Sequence, residues 1–184
     1  MAQRLAGNGR SSIIYGMTHP LVTQLHFARS EFMRCLEGLS DEDARKRLLP
    51  MNCISWMIGH LAVQEQFYWI YLAQGKVIKP KLYELVGYGR PASTPPLDEM
   101  LEAWQAITAV ADDYLTTLTT EPLTTHLTQG ETESRESVGT MILRTTYHYW
   151  FHTGEAHAIR QQLGHGELPQ FVGNMETAVY RPHG

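Results

Sequence analysis

The sequence predicts an all-α protein built as a four-helix bundle, and three observations carry that expectation. Four segments of about 20 to 27 residues show apolar residues at helical spacing, or around most of a helix's circumference. Residues suited to helix starts and stops bracket them. The link between the second and third segments is long, which permits an end-to-end crossover in which those two helices run parallel.

The first helix begins near His19-Pro20, where proline suits the first turn, and runs through LVTQLHFARSEFMRCLEGL. A short SDEDARKRL turn follows, with Ser40 as a natural cap and acidic residues in its first turn. The second helix spans Cys53 to Ala73, with Asn52 placed to cap it and Gly75 to end it. It is apolar nearly all round, interrupted by Gln64, Glu65 and Gln66, which is the pattern of a helix buried on several sides. The stretch GKVIKPKLYELVGYGRPASTPP carries prolines and glycines and little periodicity. Helix three runs from Leu97 to Thr119, after Pro95 and Pro96. A polar connection, TTEPLTTHLTQGETESRES, leads to helix four, Ser137 to Leu163, with Gly164 as its stop. The last stretch, after His165, reads as a tail on a single domain that spans the chain.

The 184 residues are 43% hydrophobic and 18% charged, the balance of a globular chain with a real core. Fifteen basic and 19 acidic residues give a formal net charge of −4, and no basic run tracks phosphates, so nucleic acid is not an expected partner. No apolar stretch approaches the roughly 20 residues that span a bilayer, and MAQRLAGNGRSSIIYGM lacks the apolar centre of a signal peptide. With two cysteines, Cys35 and Cys53, and no export signal, the cytoplasm is the default location. Both cysteines read as small core residues. Cys53 shares a face with His60, but lies about 10.5 Å along the axis from it, too far to share an ion.

Helix four holds the most informative pattern. His148 and His152 lie about 40° apart on one face. Met141, Ile142, Thr145, Ala156 and Ile159 share that apolar stripe. Two imidazoles on a buried face need partners, since burying them bare costs a few kcal/mol each. On helix two, His60 also lies on an apolar face, and in a bundle the two faces converge. One histidine from one helix and an i,i+4 pair from another supply three nitrogen ligands, the protein share of an open metal site. Three imidazoles suit zinc, nickel, iron or copper better than magnesium or calcium. The competing reading is that these histidines simply hydrogen-bond in the core.

His157 lies about 140° round the helix from His152 and cannot join the same ion. His19, His26, His126, His165 and His183 lack partner spacing and read as solvated or locally bonded. Glu155 falls about 20° from His148, as a fourth ligand, a carboxylate on an imidazole N–H, or a general base. Its structural alternative is a rim residue or a salt bridge with Arg144 or Arg160. Gln64, one turn after His60, is placed to support a ligand, with Trp56 and Arg144 as further pocket residues. Trp56, Phe67, Tyr68, Tyr149 and Trp150 read as core or pocket wall.

Three stretches together resemble the DinB-like (YfiT-type) superfamily of metal-binding bundles. MNCISWMIGHLAVQEQFYW resembles its helix-two signature, YHYWFHTGEAHAIRQQLGH its last-helix motif, and LEGLSDEDARKRL its usual lead-in. The resemblance runs over about residues 20 to 165 and rests on the order and spacing of the motifs. It implies an up-down-down-up bundle, a divalent metal on His60, His148 and His152, and a homodimer. Zinc or nickel is the leading expectation for the metal, with iron or manganese admissible. Characterised relatives include enzymes that use low-molecular-weight thiols, so a thiol cosubstrate and a small-molecule substrate are also implied.

Two function classes follow. One is a metal-dependent enzyme, a thiol-dependent transferase or isomerase, with Glu155 as the candidate catalytic side chain and metal-dependent hydrolysis as the nearest competitor. The other is a non-catalytic metal- or ligand-binding bundle, such as a stress-response sensor or a bis-histidine haem protein.

Overall fold

The computed structural model describes residues 18–181. In chain order these form α1 (Pro20–Cys35), α2 (Asp41–Arg45), α3 (Ile54–Glu65), α4 (Leu82–Val86), α5 (Leu97–Leu115), β1 (His126–Gln129), β2 (Thr132–Ser137) and α6 (Val138–Gln162). Helices α1, α3, α5 and α6 are the bundle. No helix among the described residues is long and apolar enough to cross a membrane.

The helix directions follow from which residues meet. Phe27 packs against Trp150, and Cys35 offers its carbonyl to Arg160 further along α6, so α1 and α6 run the same way. Gly59 faces Met100, while Trp69 stacks with Tyr114, so α3 and α5 are also parallel. His60 meets His152 while Gln64 meets His148, so α3 and α6 are antiparallel. The bundle is up-down-down-up, and the long link after α3 is the crossover that its parallel pair requires. Leu25, Phe32, Ile58, Leu61, Trp69, Ile107, Leu115, Ile142 and Tyr149 are fully buried at its centre.

Several local features differ from the sequence expectation. Helix α1 stops at Cys35 rather than continuing to Leu39, and Gly38 takes a left-handed φ of 71° in the turn beyond. Cys53, rather than Asn52, is the cap residue of α3, and its side chain makes no capping bond. Helix α5 ends at Leu115, four residues early. The non-periodic link contains α4, and the polar connection before α6 contains the β1–β2 hairpin, in which Gln129 pairs with Thr132 across Gly130 and Glu131. Gly130 has φ 59°, as a two-residue hairpin loop demands. Its strands carry little apolar alternation, so no strand period showed.

The continuous second helix of the sequence reading is an α-helix only to Glu65, after which Gln66–Leu72 winds as a π-helix. Such widened turns are rare and gather at functional sites. The three consecutive polar residues at this junction point three ways. Gln64 reaches α6. Glu65 enters the core. Gln66 clamps the following link, accepting from the N–H groups of Ile78 and Lys79 and donating to the Lys79 carbonyl.

Glu65 centres a buried polar network that the sequence did not reveal. Arg29 Nε donates to Glu65 Oε1 at 2.7 Å, and a second guanidinium nitrogen pairs with the other carboxylate oxygen. Tyr149 donates to Glu65 Oε1 at 2.7 Å and accepts from the Trp104 indole at 2.7 Å. Arg29 also donates to Asp112, which His26 contacts at 3.0 Å. His26 therefore has a partner on α5, contrary to its reading as solvated or locally bonded. Burial alone would lower the Arg29 pKa, but the Glu65 carboxylate beside it raises it above the usual arginine value. Burial and the nearby Glu65 charge hold the Tyr149 phenol well above its ordinary pKa. The chain ties all four bundle helices together.

Candidate metal centre

His60 projects from α3, His148 and His152 from α6, and each offers one nitrogen within 4.8 Å of the other two. The ring centroids of His60 lie 5.0 Å from His148 and 5.5 Å from His152, both edge-on. His152 is buried, and the other two are half-buried.

Each imidazole is held through Nδ1. His60 Nδ1 faces the Val86 carbonyl at 3.0 Å, His148 Nδ1 faces Gln64 Oε1 at 3.0 Å, and His152 Nδ1 faces Glu155 Oε2 at 2.7 Å. A carbonyl and a carboxylate only accept, so Nδ1 must carry the proton, and Nε2 of the neutral ring keeps its lone pair. The His148 and His152 Nε2 atoms lie only 2.9 Å apart. With both rings neutral, two lone pairs face one another and no proton joins them. A shared cation resolves that contact, and 2.9 Å is a separation that two nitrogens each about 2.0–2.1 Å from one ion can adopt. The residues therefore fit a metal by donor chemistry as well as by proximity, and the Nδ1 partners are the outer supports that metal-bound histidines use.

The surroundings of His148 and His60 also favour their neutral forms. Burial, with the neighbouring His152, His60 and Arg144, pushes His148 down to about 3. Burial lowers His60 as well, partly offset by its bond to Val86. In the metal-free protein the folded state thus resists protonating His148, while the unfolded chain takes up that proton near pH 6.5. The sign follows: His148 favours the unfolded state progressively as pH falls from about 6.5 towards 3. Metal-free protein is expected to lose melting temperature across that window more steeply than its His148→Gln variant. Parallel pH profiles in thermal denaturation would contradict this.

Local structure explains how α3 and α4 deliver the His60 support. A Cβ on Gly59 would sit 2.5 Å from Met100 Sδ and 2.9 Å from Val86 Cγ2. Only a bare glycine lets α4 approach closely enough for the Val86 carbonyl to meet the next residue, His60. Gly59→Ala is expected to cost about 1–3 kcal/mol of stability by overpacking, and to weaken zinc retention. Urea denaturation and zinc competition with a chromogenic chelator would measure both, and an unchanged variant would show that the approach is not constrained. Trp56 stacks on the other side of His60, with centroids 4.4 Å apart and planes 15° from parallel.

Glu155 meets His152 Nδ1 and pairs with neither Arg144 nor Arg160. Arg144 binds Glu136 through two guanidinium nitrogens, and Arg160 binds the Cys35 carbonyl and His165. Of the three roles open to Glu155 in the sequence, the geometry matches the carboxylate on an imidazole N–H. His157 stays away from the cluster, with its ring edge against Phe171. Cys53 is fully buried beside Ser55 and Ser93, and Cys35 is fully buried with burial pushing its thiol up to about 11, so both cysteines are core residues. The Val86 carbonyl is the one support that sequence reasoning missed, because a backbone acceptor leaves no residue-type signal.

A cavity of about 1000 Å³ opens on His60 and His148, with Gln64, Phe67, Tyr68 and Arg144 among its walls. The DinB superfamily profile matches residues 24–156. The chain belongs to the DinB superfamily. The matched stretch contains all of α3 and α5, and all three histidines. No curated protein sequence matches the chain. Membership of the DinB superfamily and the three-histidine cluster together fit a metal-binding bundle; a shared fold alone assigns no reaction.

Proposed function

We propose that this DinB-superfamily protein is a divalent-metal-dependent enzyme that transfers, or isomerises with the help of, a small thiol. His60, His148 and His152 would hold the ion, zinc or nickel by preference of three imidazoles. The single observation behind this reading is the set of three rings whose Nδ1 atoms are engaged and which each bring one nitrogen within 4.8 Å of the other two. A divalent ion with open positions supplies Lewis-acid chemistry, lowering the pKa of a bound thiol or water so that it is nucleophilic at neutral pH.

The protein's own part is orientation. Glu155 keeps the His152 Nδ1 proton in place. Gln64 does the same for His148, and Val86 for His60. Trp56 covers one face of His60, and Tyr68 and Phe67 wall the cavity in which a small-molecule substrate would lie beside the histidines.

Metal analysis followed by a thiol-consumption screen tests the reading. Purified protein loaded with zinc or nickel is expected to retain close to one ion per chain, and to consume a small thiol in the presence of an electrophile. Retention below about 0.1 ion per chain after loading would remove the metal site, since a three-nitrogen site of this kind holds its ion firmly. Full retention without thiol turnover, but with ester or amide cleavage, would replace the transferase by the hydrolase.

A further inference from the structure

We propose that the cleft over the histidines accepts a ligand whose body is uncharged, apolar and ring-sized, with only its head group polar. The proposal rests on the metal reading for the head group, and on the cleft walls for the body.

The cleft is large for a small-molecule site, about 1000 Å³, against the roughly 300–1000 Å³ usual for ligand pockets. The surface of its walls is mostly apolar, with tyrosine rings and a threonine among the histidines. Val63, Phe67, Leu143 and Tyr147 lie along it, with Phe67 44% and Tyr147 64% exposed. Large apolar side chains left uncovered beside a reactive cluster call for an occupant. Phe67 stacks on Tyr71 and tilts against Tyr68, so these walls present ring faces and edges, which suit a flat apolar body.

Charge decides against an anionic body. Arg144 is the only Lys, Arg, Asp or Glu among the described residues that line this cleft. Its guanidinium is already engaged by Glu136 through Nε and Nη2. A carboxylate or phosphate on the body of the ligand would be desolvated in the cleft with no unpaired counter-ion among the described residues that line it, whereas an apolar body gains from burial. A separate cavity of about 360 Å³ borders the cleft through Phe67, Tyr68 and Arg144, and its far wall toward the hairpin carries Glu133, Arg135 and Glu136.

The test uses three hydroxamates, which present one metal-binding head on different bodies: acetohydroxamate, 2-naphthohydroxamate and gluconohydroxamate. Calorimetry on zinc-loaded protein is expected to show the naphthyl compound binding at least about 10-fold tighter than the acetyl one, from the apolar area it buries. The gluconyl compound should bind no tighter than the acetyl one. Phe67→Ala together with Tyr147→Ala should remove most of that gain, while zinc content and acetohydroxamate affinity stay unchanged. Equal affinities, a preference for the gluconyl body, or a gain that survives the double substitution would overturn the proposal. Should the protein hold no zinc, 2-naphthamide, which has the same body and no chelating head, is titrated into the metal-free protein. Binding that the double substitution abolishes would then sink the metal reading and keep the cleft assignment, and no binding would sink both. Covering of this face by a second copy of the chain would appear as self-association lost in the double variant, with no naphthyl preference, and would also overturn the proposal.

Discussion

His148→Ala is expected to strip the protein of metal while leaving it folded. His148 supplies one of three converging nitrogens, and its Nε2 lies 2.9 Å from that of His152. Two nitrogens remain after the substitution, too few for the three-ligand set of an open site. Zinc affinity should fall by more than the roughly 10- to 100-fold that removal of an outer hydrogen-bond partner costs. Glu155→Ala, which takes away only the carboxylate on His152 Nδ1, provides that milder comparison. The fold should survive, because the variant relieves two facing lone pairs in the metal-free state and leaves the bundle core untouched. Elemental analysis after gel filtration, with circular dichroism on the same samples, reads both parts. A variant that holds zinc as well as the parent protein would place the ion elsewhere.

The second large effect lies one residue beyond the Gln64–His148 contact on each helix. Glu65→Ala should destabilise the protein by about 3 kcal/mol, the lower end of the usual cost of breaking a buried ion pair, since Arg29 keeps its bond to Asp112. Glu65 is fully buried and Arg29 is 5% exposed, so water cannot replace the lost carboxylate. The Tyr149 hydroxyl also loses its acceptor. The double variant Arg29→Met with Glu65→Leu should recover most of the loss, because removing both charges also removes their desolvation cost. Urea denaturation at pH 7 of both variants gives the answer. A Glu65→Ala protein within 1 kcal/mol of the parent would mean that the pair contributes little.

The contrast between these two residues shows what the sequence could disclose. Helix positions on α3 and α6 follow a fixed angular period, so His148, His152 and Glu155 fall on one face by arithmetic, and His60 falls on an apolar face of its own helix. Their juxtaposition needed only that two apolar faces meet. Arg29 and Glu65 have no such local signature. They lie 36 residues apart on helices whose relative rotation only the folded bundle sets. The π-turn after Glu65 depends on tertiary partners such as the clamp from Gln66 to the link at Ile78 and Lys79. The hairpin escaped because its strands are exposed on both faces and show no apolar period, leaving Gly130 as the one clue. Val86 acts through its backbone, for which any residue type would serve.

Gln64 bonds to His148, and the next residue on α3, Glu65, bonds to the next residue on α6, Tyr149. Two neighbouring residues on one helix thus grip two neighbouring residues on the other, one pair at the rim and one in the core. Sliding α3 along α6 by a turn, or rolling it about its axis, would break both grips together. The register of these helices is therefore set by bonds that involve no ion. Removing the ion should leave α3 and α6 in the same register.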